Sequence, residues 1–360
     1  MTRYGKTKAG AQRWYCAACK ASATHSYNKD AKLFKQFLDW LLSRKRQADM
    51  PKDARTFRRK VLRFWSIWPM PPVTGEAYRV VYVDGIYLAR NIVVLIARSD
   101  RYVLSWYLAR SENSGAWAAL MMRIVPPSMV VCDGGSGFEK ARRKIWPHTK
   151  VQRCTYHAFC QVRRYTTSRP RLPAGVELYG IAKNLLGIKT LHEASVWVEG
   201  YNAWCTRWAE FLAEETVVEG RRVLTHDRLV KAHNNLTRLI NQRTLFTYLD
   251  PELSKEGPLP ATNNRIEGGV NAPIRQMLLD HRGLSDLRRI KAVYWWCYMH
   301  TECPLTPAEL LKVLPTDDDI DYLYNTYAQI LQPQDEPAPL GNGLVWSELH
   351  KSDPYRMDWN

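Results

Sequence analysis

The chain has 360 residues, 46% of them hydrophobic, which excludes a disordered polymer and leaves room for two or three domains. No run approaches the roughly 20 apolar residues of a membrane span, and the polar, basic N-terminus lacks a secretory signal, so no membrane partner and a cytoplasmic location are expected. The net charge of +17 calls for a polyanionic partner, and residues 1–68 concentrate it, with 17 Lys/Arg against 4 Asp/Glu.

Residues 1–26 are rich in Gly, Lys and Arg and carry Cys16-Ala17-Ala18-Cys19. A structural zinc needs four ligands, so this is a partial site, with His25 as the nearest further donor. The other cysteines are scattered, which argues against a secreted disulfide framework. The spacing of Leu33, Phe34, Phe37, Leu38, Leu41 and Leu42 predicts a helix over 31–46. After a break at Met50-Pro51, Asp53 is placed to cap a second helix with Phe57, Val61, Phe64 and Trp65 on its apolar side. Arg55, Arg58, Arg59, Lys60 and Arg63 cover the other side. A short helix pair with a basic second member reads as a helix-turn-helix over 27–72, or as a solvated face of a bundle. Pro69–Pro72 marks a linker.

From Glu76 the character becomes α/β. Strands are expected at Tyr78–Val83, Ile92–Ala97 and Tyr102–Leu108, then a helix at Ser114–Val125 and a buried strand at Ser128–Cys132. A helix at Phe138–Ile145 and a strand at Val151–Cys154 follow. This β-β-β-α-β-α-β order matches the opening of a ribonuclease-H-like mixed sheet. After Cys160 the pattern is helical: Trp197, Tyr201, Trp204, Trp208 and Phe211 make one stripe, and Leu229, His233, Leu236, Leu239 and Ile240 another. Both are read as helix packing rather than base stacking. Pro251–Pro260 is a loop, and Ser285 caps a helix with Leu287, Ile290, Val293, Tyr294 and Cys297 inward. Beyond Pro304 the chain reads as a peripheral acidic tail with a Pro/Asp/Gly-rich stretch at Gln332–Gly343.

Asp84 and Asp133 each close an apolar run and each precede glycine. Carboxylates at strand ends meet at one rim of a sheet, where glycine lets a phosphate approach. Hard Mg²⁺ or Mn²⁺ prefers such oxygen ligands, and two such ions support an in-line displacement at phosphorus. Glu267 is a further candidate, set in Asn263-Asn264-Arg265-Ile266-Glu267-Gly268-Gly269; by pattern alone it is equally a loop glutamate before a helix.

The run Thr262–Asn271, with Arg282-Gly283 and Trp295-Trp296-Cys297-Tyr298, resembles bacterial insertion-sequence transposases of the Mutator-like DDE class. So do Val83-Asp84-Gly85, Cys132-Asp133-Gly134 and Arg153-Cys154-Thr155-Tyr156-His157, all in the right order. The resemblance extends to about Pro304. It implies a ribonuclease-H-like core whose last helix carries Glu267, with an all-helical insertion between the second Asp and the Glu. The spacings fit, 49 residues from Asp84 to Asp133 and 134 from Asp133 to Glu267. It also implies a Cys-x-x-His element at Cys154 and His157. That element is either a metal site, with Cys160 nearby, or an active-site group with His157 beside the scissile phosphate or the carboxylates. Relatives open with two CxxC knuckles, whereas only Cys16 and Cys19 stand here, so a remnant zinc ribbon without a complete Zn²⁺ site is expected, from a truncated copy or a misplaced start.

The expected organisation is a ribbon remnant at 1–26, the DNA-binding helices at 27–72, and a core at 76–165 and 259–304 interrupted by a helical insertion at 166–258. The peripheral tail occupies 305–360. The expected activity is DNA transposition, with Asp84, Asp133 and Glu267 as Mg²⁺ or Mn²⁺ ligands for two ions and His157 beside them. Backbone contacts are expected from Arg153, Arg265, Arg275, Arg282, Arg288 and Arg289 in addition to the basic helix. A homodimer or higher multimer on DNA would hold two ends together, in association with the nucleoid. A stand-alone metal-dependent nuclease and a non-catalytic DNA-binding protein remain as alternatives.

Overall fold

The computed structural model describes residues 1–8, 10–24, 29–51, 53–73 and 75–330. The chain divides into two compact units, one of residues 1–68 with 305–317 and one built mainly from 69–304. His25 and the Gln332–Gly343 stretch lie outside the described residues.

The first unit begins with a three-stranded antiparallel ribbon: β1 (Thr2–Lys6), β2 (Gln12–Tyr15) and β3 (Ser22–Thr24). Cys16 and Cys19 occupy the turn between β2 and β3, where the Cys16 amide donates to the Ala21 carbonyl. Helix α1 (Lys29–Leu41) buries Phe34, Phe37, Leu38, Trp40 and Leu41. It stops earlier than its apolar spacing predicts because Ser43 Oγ donates to the Trp40 carbonyl and accepts from the Lys45 amide, diverting the backbone. Helix α2 (Ala54–Val61) is capped as expected, with Asp53 accepting from the Thr56 amide at 2.9 Å. Phe57, Phe64 and Trp65 form edge-on and tilted ring contacts with Trp40, Phe34 and Phe37.

The second unit is mixed α/β. Five strands, β4 (Val80–Ala89), β5 (Ile92–Arg98), β6 (Val103–Ala109), β7 (Met129–Cys132) and β8 (Lys150–Arg153), form one sheet in the order β6-β5-β4-β7-β8. The β4/β5 and β5/β6 pairs are antiparallel; β4/β7 and β7/β8 are parallel. Therefore β4, β6, β7 and β8 all point their C-terminal ends toward one edge. Helices α3 (Ser114–Met121) and α4 (Ser136–Ile145) make the crossovers, α3 with Asn113 accepting from the Ala116 amide at its start. Strand β4 runs longer than predicted, so Asp84 lies within it rather than at its end. The parallel pairing to β7 spans only Val80–Tyr82, while the rest of β4 continues in register with β5. Asp84 and Gly85 stay extended, opposite Ile96 and Leu95 of β5, and the Asp84 carboxylate accepts the Gly85 amide.

Helices α5 (Thr155–Thr166), α6 (Pro173–Asn184), α7 (Leu191–Arg207), α8 (Ala209–Ala213) and α9 (Asp227–Asn241) share a second core. The aromatic stripe is packing, as expected: Trp197, Tyr201 and Trp204 are buried in near-parallel stacks, and the Trp204 indole donates to the Ala174 carbonyl. The insertion is not all-helical. An exposed hairpin, β9 (Glu215–Val218) and β10 (Arg221–Leu224), projects between α8 and α9. Its two-residue turn puts Glu219 at φ 49° and Gly220 at φ 76°, the left-handed pair that matches strand twist.

After a loop with a short 3₁₀ turn at Leu253–Glu256, a helical run begins with α10 (Asn264–Ile266) and continues through a π-helical turn at Glu267–Asn271. It then becomes α11 (Ala272–Asp280). Helix α12 (Asp286–Met299) buries Ile290, Val293, Tyr294 and Cys297; Leu287 is only half-buried, and Ser285 sits at the cap position without a side-chain hydrogen bond. Helix α13 (Pro307–Val313) follows, and α14 (Asp317–Ile330) ends the described chain.

The reading of 305–360 as a peripheral tail needs correction for its first part. Residues 305–317 return to the first unit. Leu310 is fully buried, the Trp68 amide donates to the Pro315 carbonyl, and the Trp68 indole donates to Asp317 at 2.7 Å. The buried indole N–H thus finds its acceptor across a separation of 249 residues. Among the described residues no helix is long and apolar enough to cross a membrane.

Candidate active site

The parallel strands bring Asp84 and Asp133 to one region of the sheet edge. Asp133 follows β7 directly, beside the point where β4 separates from it. Both oxygens of Asp84 are fixed: Oδ1 accepts the Gly85 amide at 2.9 Å, and Oδ2 accepts Asn271 Nδ2 at 2.7 Å. Burial and the Asp133 charge push the Asp84 carboxyl up to about 7, with smaller contributions from Glu267 and Glu112.

Glu112, which the sequence did not single out, is the fourth carboxylate. It follows β6, whose C-terminal end shares this edge. A Cβ at Gly85 would lie 2.6 Å from Glu112 Oε1, so glycine is what lets this carboxylate lie against β4. Burial and the Asp133 charge hold Glu112 at about 7 as well. Ser111-Glu112-Asn113 resembles any loop before a helix, and only the strand order reveals its position.

Glu267 reaches the site through a stitched loop. The Thr155 amide donates to the Ala261 carbonyl, the Asn263 amide to Cys154 Sγ at 3.2 Å, and Asn263 Nδ2 to the Val83 carbonyl at 3.1 Å. Asn263 is fully buried, so these bonds stand in for water. The π turn then aims Glu267 at α5 and Asn271 at β4. The widening has a local cause: Pro273 lacks the N–H that an α-helix would direct at the Gly269 carbonyl. Gly269 also admits Arg98, whose Nη1 would lie 2.6 Å from a Cβ there and which donates to the Arg265 carbonyl.

His157, in the first turn of α5, places Nδ1 3.4 Å from Glu267 Oε1. Nδ1 is buried and lacks an aligned hydrogen-bond partner, so this is a charge contact more than a directed bond. Interaction with Cys154 raises the imidazole to about 9 against the opposing effect of burial; Glu267 and Asp133 add to the rise. The imidazole is thus pushed toward its charged form and faces Glu267.

Which residues could hold metal follows from this layout. Cys154, His157 and Glu267 place one donor atom each within 4.8 Å of one another. Asp84, Asp133 and Glu267 do not close to that span as a threesome, although their charges are felt at Asp84. Cys160 stays out of the cluster, with Sγ near Arg163 Nη2. The Cys16 thiol is held below its ordinary value by hydrogen bonds with Cys19 and Ala18, and no third ligand joins the pair among the described residues. No disulfide joins any of the cysteines.

The arginines divide into groups. Arg153 is buried, and Arg265, Arg275 and Arg282 are exposed along 264–282. Arg289 pairs with Asp286 at 3.2 Å. In the first unit, Arg58 donates to Gln47 and Arg63 pairs with Asp30 at 2.6 Å, while Arg55, Arg59 and Lys60 are exposed on α2.

Residues 73–215 match the family described as "Transposase, Mutator family". Over this stretch the chain is similar to Mutator-family transposases. The stretch contains Asp84, Glu112, Asp133, Cys154 and His157, while Glu267 lies beyond the matched residues. The probable transposase for insertion sequence element ISRM3-like of Sinorhizobium fredii is 24% identical over 196 residues, covering 49% of each chain. The transposase for ISRM3 of Rhizobium meliloti matches to the same extent. The transposase for IS6120 of Mycolicibacterium smegmatis is 29% identical over 100 residues, covering 24% of this chain and 31% of its own. The chain thus spans about half the length, or less, of these curated relatives.

Proposed function

We propose that the protein is a DDE transposase, cutting DNA at insertion-element ends and joining the freed 3′ hydroxyl to target DNA. The observation that carries this reading is the gathering of four carboxylates at one sheet edge, three of them within the stretch similar to Mutator-family transposases, with Asp84 and Glu112 pushed up to about 7 by burial and neighbouring charge. Such a concentration of negative charge is unfavourable without a cation, and oxygen donors suit Mg²⁺ or Mn²⁺. Two such ions, held by Asp84, Asp133 and Glu267, would activate the attacking oxygen and stabilise the leaving one.

The residues of the chain perform the rest. Asn271 and the Gly85 amide orient Asp84, and His157 sets its imidazole beside the Glu267 carboxylate. In the first step a water oxygen bonds to phosphorus while the P–O3′ bond breaks, leaving a 3′ hydroxyl and a 5′ phosphate. In the second, that hydroxyl oxygen bonds to a target phosphorus and the target's own 3′ oxygen leaves as a hydroxyl. The sheet order, three antiparallel strands continued by two parallel ones, supports a ribonuclease-H-like core. The basic α2 and its capped start support a helix-turn-helix that reads the element ends, on a dimer or higher multimer.

The test uses labelled element-end DNA in Mg²⁺ or Mn²⁺, both intact and precut. Wild-type protein is expected to cut the first and join the second to target. Glu267→Gln should do neither while still binding ends. Cutting without joining of precut ends would show a nuclease, and binding without cutting a non-catalytic protein.

A second reading of one element has its own support. The donor set Cys154, His157 and Glu267 also fits a thiolate-binding transition metal. Stoichiometric zinc in purified protein, lost in Cys154→Ser, would assign Glu267 to that metal instead.

A further inference from the structure

A cleft of about 640 Å³ opens on the second unit between α4, β8 and the C-terminal part of α9. Its walls carry Lys140, Arg143, Lys144, Arg153 and Arg238 against a single carboxylate, Glu139. Glu139 is already engaged by Arg142 at 2.8 Å and Arg143 at 2.7 Å, and among the described residues Lys140, Lys144, Arg153 and Arg238 make no ion pair. Phe138, Val151 and Leu239 supply an apolar floor.

Two further features point to an anion. The cleft contains the start of α4, at Gly135 and Ser136, where no side chain caps the first amides. Arg153 lines the same space and is only 6% exposed, yet its Nε–H has no acceptor. A buried guanidinium donor left without a partner is costly, and an oxyanion is its natural complement. The arrangement is also built in. Gly134 has φ 70°, and a Cβ there would stand 1.3 Å from Arg153 Nη1, so the glycine makes the room in which the guanidinium lies. Gly134 directly follows Asp133, so the cleft leads into the carboxylate edge.

We infer that this cleft holds a backbone phosphate of the DNA strand whose scissile bond lies at Asp133. The α4 amides and Arg153 take the phosphate oxygens. Lys140, Lys144 and Arg238 follow the strand outward. The floor packs against a sugar or base. This inference rests on the reading of DNA as substrate, and it assigns the strand path to the α4–α9 face.

The test compares full-length wild type with Lys140→Ala/Lys144→Ala/Arg238→Ala, three exposed positions whose loss leaves the core intact. Binding to a fluorescent DNA duplex is measured by anisotropy from low to physiological salt. Each lost phosphate contact removes about 0.9 from the slope of log K against log salt. The triple variant is expected to bind at least about tenfold more weakly at low salt, with a slope smaller by about two to three. A control with Lys189→Ala/Arg221→Ala/Lys255→Ala should keep the wild-type slope. An unchanged slope in the cleft variant, an equal loss in the control, or no binding of DNA by wild type overturns the proposal. Inorganic phosphate, added at constant ionic strength, should compete only weakly; if it displaces the duplex at micromolar levels, the cleft is a free-phosphate site and the strand path is wrong. Metal-dependent cutting is scored separately. A slope loss without any cutting by wild type would leave the cleft standing and refute the transposase chemistry.

Discussion

At the scale of single residues, Asp84 shows how the site's geometry is maintained. It is half-buried beside other acids, and its two oxygens are occupied by one backbone amide and one asparagine. Removing the asparagine should therefore act on the chemistry more than on the fold. Asn271→Ala is expected to slow single-turnover DNA cutting roughly 10- to 100-fold and to raise the metal concentration needed, with an unchanged circular dichroism spectrum. Wild-type cutting by this variant would show that Asp84 needs no orienting partner. Gly134 is a structural counterpart. With φ at 70° and no room beside Arg153, Gly134→Ala should destabilise the second unit by about 1–3 kcal/mol in denaturant titration. The two aspartates stand out in the sequence because each closes an apolar run and precedes glycine, and the strand pairing sets them near one another. Glu112 and Asn271 do not, because their roles depend on strand order and on a helix widened by Pro273, and neither leaves a local pattern.

Among the elements, the helical core of the second unit was easiest to read, since Trp197, Tyr201 and Trp204 recur at helical spacing and a buried stripe can be little else. Trp204 is 2% exposed and donates to the Ala174 carbonyl, so Trp204→Ala should cost about 3–5 kcal/mol of stability. The hairpin β9–β10 was missed although Thr216-Val217-Val218 and Arg222-Val223-Leu224 flank Glu219-Gly220. Exposed on both faces, it lacks the apolar alternation that marks a strand. The same core carries a pH-sensitive pair, with the Tyr201 hydroxyl 2.9 Å from His233 Nδ1. Burial lowers the His233 pKa, so the folded state binds this proton less readily than the unfolded chain. Stability is then fully present above the ordinary histidine range and is lost as pH falls through it toward the folded value. His233→Gln should flatten the Tm-versus-pH curve below about 6.5, and an unchanged slope there would show that His233 does not carry this pH dependence.

For the whole molecule, charge and periodicity both change near Pro69, where the two compact units also divide. Nothing in the sequence marks residues 305–317 as belonging with the first unit. The return of residues 305–317 to the first unit joins residues far apart in sequence, and a single short helix with one buried leucine carries no mark of its destination. Leu310→Asp should accordingly lower the melting temperature of the first unit while leaving the second unit's transition in place, as followed by calorimetry.

The central claim is that the carboxylates at one sheet edge hold divalent ions for chemistry at phosphorus. Mn²⁺ titration of the purified full chain by calorimetry, with DNA cutting measured on the same samples, addresses it most directly. Wild type should bind Mn²⁺ and cut element-end DNA, and Asp84→Asn and Asp133→Asn should each lose both while still binding DNA. Cutting at the wild-type rate by Asp133→Asn, or by wild type in excess EDTA, would contradict the claim.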